Sequence, residues 1–259
     1  MKSEHFPLTL YPTHNLRVRS KLDGLAWEGC KVVYNMLRQS PLGYAISAYI
    51  WIHPTLLQEF WWRAETIFRG TKKWIRSTVL DRVIILSKET LRVSLQLNED
   101  IDATFFTRET LDQTLKEIGY HTPNRSRQIS RSGFIPPYLY LVTQLGVCYS
   151  RKHGHFNELS YRLMEMVHAV VQEKPYNFSK YLMRDLEENI HTHQPYLIYP
   201  RFVMKVITSQ LDFGGVTNWY PRVQVVLQED LNIPSLVPTN QHTGRTTYLW
   251  MYASLIYDD

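Results

Sequence analysis

Apolar residues recur at helical spacing along most of this chain, and the period changes clearly only between Trp74 and Leu86. A chain patterned this way is restricted to packed amphipathic helices with one small piece of sheet. Residues 23–38 predict the first helix, with Leu25, Val33, Met36 and Leu37 near one stripe and Ser40, Pro41 and Gly43 as its stop. Residues 54–68 predict the second. Pro54 suits a first helical turn, Leu56, Leu57, Phe60, Trp61, Ala64 and Phe68 form a wide apolar face, and Gly70 ends it.

The β-branched and aromatic runs 74–79 and 83–86, joined by Leu80, Asp81 and Arg82, predict a short hairpin. Ser87 then predicts the cap of a helix to Leu95, with Leu91, Val93 and Leu95 inward. Residues 98–102 are an acidic turn. Thr107 caps residues 108–118, and Gly119 stands where a left-handed C-cap is wanted. After an irregular stretch over 120–137, an apolar helix runs to Tyr149 through Leu139, Leu141, Val142, Leu145 and Cys148. Asn157 caps a helix through Gln172, Asn177 or Ser179 starts one to Ile190, and Pro200 opens one through Leu211. The fold class is therefore mainly α, a multi-helix globular domain with one short β-hairpin near residues 73–86. A polar, His- and Pro-rich arm covers 1–20, the helical domain 21–211, and a C-terminal extension 212–259 is expected to dock through its apolar stretch 246–256.

A hydrophobic share of 44% against 20% charged residues places the chain among folded proteins rather than disordered ones. Only two cysteines, Cys30 and Cys148, are present, in no metal or redox spacing, so they read as small buried hydrophobes. Few cysteines and no signal-peptide pattern at the N-terminus point to an intracellular protein, cytoplasmic or nuclear. The charge-free stretch 43–58 is interrupted by His53, Pro54 and polar residues, which makes it too short and too mixed to span a bilayer.

Charge distribution says more than its total. No Asp or Glu occurs between Ile118 and Asn157, whereas Arg125, Arg127, Arg131, Arg151 and Lys152 all fall inside, so this window carries the whole net charge of +5. His121, His153 and His155 add to it below about pH 6.5. Such a patch attracts phosphate backbones, with an affinity that falls as salt rises; its plain structural reading is a solvated loop face. Basic and aromatic residues also interleave at Trp61, Trp62, Arg63, Arg69, Lys72, Lys73, Trp74 and Arg76, a mixture that holds single-stranded nucleic acid in other settings. The plainer reading makes Trp61 and Trp74 core and the cations its rim.

Catalytic patterns find little foothold. No serine sits in a Gly-x-Ser-x-Gly elbow, and the adjacent Gly214 and Gly215 lack the partners of a phosphate loop or dinucleotide turn. The histidine pairs His153/His155 and His191/His193 have no cysteine or helical partner to complete a metal site. The acidic groups Glu99, Asp100 and Asp102, and Asp185, Glu187 and Glu188, read as solvated faces rather than a two-metal centre. No cofactor is called for.

A longer series of words has a resemblance. It starts with Tyr44-Ala45-Ile46-Ser47, Glu59-Phe60-Trp61, the run 74–79 with Asp81, and Ser87-Lys88-Glu89-Thr90-Leu91-Arg92. It continues through Leu95-Gln96-Leu97-Asn98, Ile118-Gly119-Tyr120, Asn157-Glu158-Leu159-Ser160, Pro175-Tyr176-Asn177-Phe178-Ser179 and Tyr199-Pro200-Arg201-Phe202. In order and spacing, from about Leu16 to Leu211, this resembles a plant transposon or retrotransposon protein domain similar to the N-terminal part of Athila-type gag open reading frames. The resemblance brings no catalytic residues with it. It implies a non-enzymatic, gag-like structural protein that self-associates or holds RNA or DNA, here through Arg125, Arg127, Arg131, Arg151 and Lys152. A metal-dependent nuclease or transposase is the alternative reading, and a domesticated protein-interaction domain a further one.

Overall fold

The computed structural model describes residues 25–50, 52–70, 72–99, 106–121, 129–149, 158–192 and 196–211. Within them the chain forms nine α-helices and one three-stranded antiparallel sheet. The predicted arm 1–20 and extension 212–259 lie outside the described residues.

Helix α1 (Leu25–Gln39) buries Val33 and Leu37 against α6 (Pro136–Tyr149). A short α2 (Gly43–Ser47) follows at once. A glycine at 43 reads as a helix stop, but here it starts one. A Cβ at this position would lie 1.8 Å from the Arg38 carbonyl oxygen, so only glycine lets the chain turn back this closely.

The second predicted helix is shorter than its apolar spacing suggests. Helix α3 (Pro54–Arg63) ends at Ala64, whose backbone is extended, and residues Glu65–Arg69 form strand β1 instead. Gly70, at φ +60, is the turn of a hairpin joining β1 to β2 (Lys72–Val79) rather than a helix cap. Thr66 and Ile67 are β-branched, and pairing with β2 gives this segment a hydrogen-bonded ladder that local helical preference cannot match. Strand β3 (Arg82–Leu86) completes the order β1-β2-β3. The β2–β3 turn places both Leu80 (φ 50) and Asp81 (φ 58) in the left-handed region, as tight two-residue hairpins require. Glu59 of α3 steadies it, accepting a hydrogen bond from the Leu80 amide at 3.2 Å.

Strand alternation gives the sheet two unlike faces. Ile75, Ser77 and Val79 of β2 are buried on the side that α3 covers, Ile84 and Leu86 of β3 are buried where α9 packs, and Ser77 Oγ donates to the Phe60 carbonyl at 2.6 Å. The β3 edge is closed by Gln210, whose side-chain amide accepts from the Ile85 N–H at 2.9 Å and donates to its carbonyl at 2.6 Å.

Capping is local and follows the residues expected. Ser87 and Thr90 form a reciprocal capping box on α4 (Lys88–Ser94), Thr107 caps α5 (Arg108–Glu117), and Asn177 caps α8 (Phe178–His191). Val93, expected to face inward, is 77% exposed on α4. Helix α7 (Tyr161–Val171) is capped by Ser160, which accepts from the Leu163 amide, and not by Asn157, which lies outside the described residues. Helices α6 and α9 (Pro200–Gln210) are the most deeply enclosed; Leu141, Val142, Leu145, Phe202, Val203, Met204, Val206 and Ile207 have no exposed surface. Both cysteines are buried, as read from sequence, and no disulfide joins them.

One buried imidazole has a consequence for stability. His168 of α7 bonds Thr114 Oγ1 through Nδ1 at 2.6 Å and meets the Phe106 ring edge-on at 4.2 Å. Burial, with Lys174 nearby and Glu117 opposing, holds its pKa below the usual 6.5. The unfolded chain therefore binds the proton more readily, and stability falls as pH drops through 6.5. Buried Glu165, raised above 4.5 by desolvation, acts in the opposite sense, from about pH 4.5 upward. Denaturant melts at pH 7.5 and 5.5 are expected to show a loss in the wild type that His168→Gln largely removes. An equal loss in both proteins rules this group out as the cause.

Candidate nucleic-acid interface

Of the five basic residues singled out from the charge pattern, Arg131 alone lies among the described residues; Arg125, Arg127, Arg151 and Lys152 lie outside them. Arg131 opens a 3-10 turn, Arg131–Gly133, that leads into α6. Ser130 Oγ accepts from the Ser132 amide at the head of this turn, and the Ser130 amide donates to the Tyr120 hydroxyl at 2.9 Å. Arg131 is half-buried, and its Nη2 donates to Thr143 Oγ1 at 2.7 Å. This arginine is thus partly a strut, tying the turn to α6.

Gly133 makes the corner tight. A Cβ there would stand 2.3 Å from the His121 carbonyl oxygen and 2.4 Å from the Tyr120 ring. His121 N–H donates to the Gly133 carbonyl at 2.8 Å, and Tyr120 packs on Phe134 with ring centroids 4.8 Å apart. The acid-free window therefore has a built corner at the α5–α6 junction.

The two basic stretches also have neighbouring ends here. Ser130 pairs with Glu158 in an antiparallel bridge, and the Leu159 amide donates to the Ile129 carbonyl at 2.9 Å. Residue 129 follows the stretch holding Arg125 and Arg127, and residue 158 follows the one holding Arg151 and Lys152. Those two chain positions lie side by side although α6 separates them in sequence.

The acidic groups read as solvated are not all so. The Glu99 side chain has no exposed surface; it accepts from Arg92 Nε at 3.2 Å, from the Ser179 amide at 2.8 Å and from the Ser179 hydroxyl. Asp185, 2% exposed, accepts from Arg162 Nη1 at 2.5 Å and from the Tyr199 hydroxyl at 2.9 Å. Glu187 pairs with Lys73 Nζ at 2.6 Å, and Asp100 and Asp102 lie outside the described residues. Glu165, which nothing in the sequence singles out, is buried under the hydroxyls of Tyr181 (3.0 Å) and Tyr176 (3.3 Å). Burial pushes the Tyr181 phenol up to about 12. These carboxylates have separate partners, the arrangement of a neutralised interior rather than of a shared metal.

Among the described residues no group of three His, Cys, Asp or Glu side chains is placed to hold a metal ion. Desolvation raises the Cys148 thiol to about 12, with Arg201 only partly opposing it, so it is not a thiolate at neutral pH. No described helix is long and apolar enough to cross a membrane.

The interleaved aromatic and basic residues divide between core and surface. Trp61 is buried and Trp62 is 42% exposed, while Arg63 pairs with Glu59 one turn back at 2.7 Å. Trp74 is not core but half-buried on the outer face of the sheet, because it alternates with the inward Ile75. Comparison with known proteins finds no match to a family model, to a curated protein or to a solved structure.

Proposed function

We propose that this chain is a non-enzymatic, retroelement-derived gag-like domain that holds nucleic acid through the basic window around Arg131. The observation that carries the reading is the pairing of residues 129–130 with 158–159, which sets the ends of both basic stretches at one corner of the helical body. Clustered cations bind a phosphate backbone by releasing its counterions, and such binding weakens steeply with salt. The structural role of the buried carboxylates supports the non-enzymatic part, since each is occupied by an arginine or by hydroxyl donors. The resemblance to gag-like plant domains supports the rest.

The test is RNA binding and light scattering on the purified protein across a salt series. The triple variant Arg125→Ala, Arg127→Ala, Arg131→Ala is expected to weaken binding and to flatten the slope of log affinity against log salt by about 2. Arg131→Ala alone is expected to act mostly on stability, because its guanidinium braces Thr143. A strict monomer that ignores RNA at low salt removes the proposal.

A further inference from the structure

The outer face of the sheet carries a second, separate set of groups. Antiparallel pairing puts partnered residues on the same side, so Arg69 and Lys72, Ile67 and Trp74, and Glu65, Arg76 and Ile85 line up across it. Thr78 and Val83 extend the same face. None of these residues is buried; Arg76 is 51% and Val83 51% exposed. Among the described helices, α3 reaches the sheet at Ser77, α8 at the inward-pointing Lys73 through Glu187, α9 at the β3 edge, and α4 where it follows the end of β3.

We propose that this face is a platform for single-stranded nucleic acid, with Trp74 as the stacking ring. Three cations, Arg69, Lys72 and Arg76, share the face with a single carboxylate, Glu65, whose ion pair with Arg76 is long at 3.9 Å. Lys72 and Arg76 stand about 7 Å to either side of Trp74 along β2, from two residues of strand rise each way. A base laid on the indole thus has a cation near the phosphate on each side. Ile67 stands opposite the ring on β1, and Ile85, opposite Arg76 on β3, lies diagonal to it; both add apolar surface to the face. A half-buried aromatic between cations suits unstacked bases; a duplex hides its base faces and offers only phosphate. The proposal extends the nucleic-acid reading above by naming a strand type and a second contact surface.

The experiment measures anisotropy of a labelled twelve-uridine RNA, and of a duplex DNA of equal length, with the full chain. Trp74→Ala is expected to lower affinity for the single strand about tenfold. Trp74→Phe, which keeps a ring, is expected to retain most of it. Replacing Arg69, Lys72 and Arg76 by Ala is expected to flatten the salt slope by about 2. Circular dichroism and melting of every variant check that the sheet is intact, and Trp74→Phe with the cation variant keep the test decisive if Trp74→Ala unfolds. If the sheet variants fold and bind uridine RNA like the wild type while the Arg125/Arg127/Arg131 variant does not, this inference falls and the basic window stands. The reverse result supports the sheet and removes the window. A poly-glutamate peptide that displaces the RNA at matched charge concentration also overturns it, because charge alone would then account for binding.

Discussion

Arg162→Met is expected to destabilise the protein by about 3–5 kcal/mol, more than Asp185→Leu at its partner. The two groups pair at 2.5 Å between α7 and α8, yet they are not equally enclosed: the arginine side chain is 29% exposed and the aspartate 2%. Removing the arginine strands a carboxylate in the interior, with the Tyr199 hydroxyl as one remaining donor. Removing the aspartate by Asp185→Leu strands an arginine that reaches water and still lies over the Tyr181 ring at 5.2 Å. The Tyr199 hydroxyl also lies 2.8 Å from the Tyr149 carbonyl, a second acceptor in that variant. Thermal melts should therefore rank Arg162→Met below Asp185→Leu, with a drop of roughly 6–20 °C for the former. The double variant Arg162→Met, Asp185→Leu is expected to recover much of the loss, since no buried charge is left alone. A milder effect from the arginine than from the aspartate contradicts the account.

That pair shows why the interior was harder to read than the helices. Caps work within three residues, so Ser87, Thr107 and Asn177 could be identified from their neighbours alone. A buried carboxylate carries no such local mark. Glu99 depends on Ser179, 80 positions away, and Asp185 on Arg162, 23 positions away; taken singly, each looks like one more acid in a polar segment. Tyr199 is similar. It starts α9 in the left-handed region at φ 54, a conformation that costs a non-glycine residue about 1–2 kcal/mol, and it is held there by contacts to α6 and α8.

The candidate interface divides along the same line. An acid-free window is a property of composition and was legible at once, as was the mixture of rings and cations before and along β2. Which cations share a surface depends on strand parity and on backbone pairing between distant segments. Parity separates Lys73, drawn inward to Glu187, from Lys72 and Arg76 on the open face, although the three lie within five consecutive positions. The bridge between Ser130 and Glu158 likewise joins ends that no spacing rule connects.

Phe60 and Phe68 make the clearest trial of the region where helix gives way to strand. Eight residues apart, they fall on one face of a continuous helix over 54–68, and both would then be core. With α3 ending at Arg63, Phe60 has no exposed surface, whereas Phe68 is 68% exposed beside Lys73 Nζ at 5.1 Å. Phe60→Ala is expected to cost about 3–5 kcal/mol, because it opens a cavity in the helix that both α9 and β2 pack against. Phe68→Ala is expected to stay within about 0.5 kcal/mol of wild type. Denaturant unfolding of both variants measures the contrast. Similar large losses at the two positions would mean that the helix continues and that β1, with the outer face built on it, does not form as described. A large loss at Phe60 alone is the result the strand requires, since only a change of period between the two rings can bury one and leave the other in solvent.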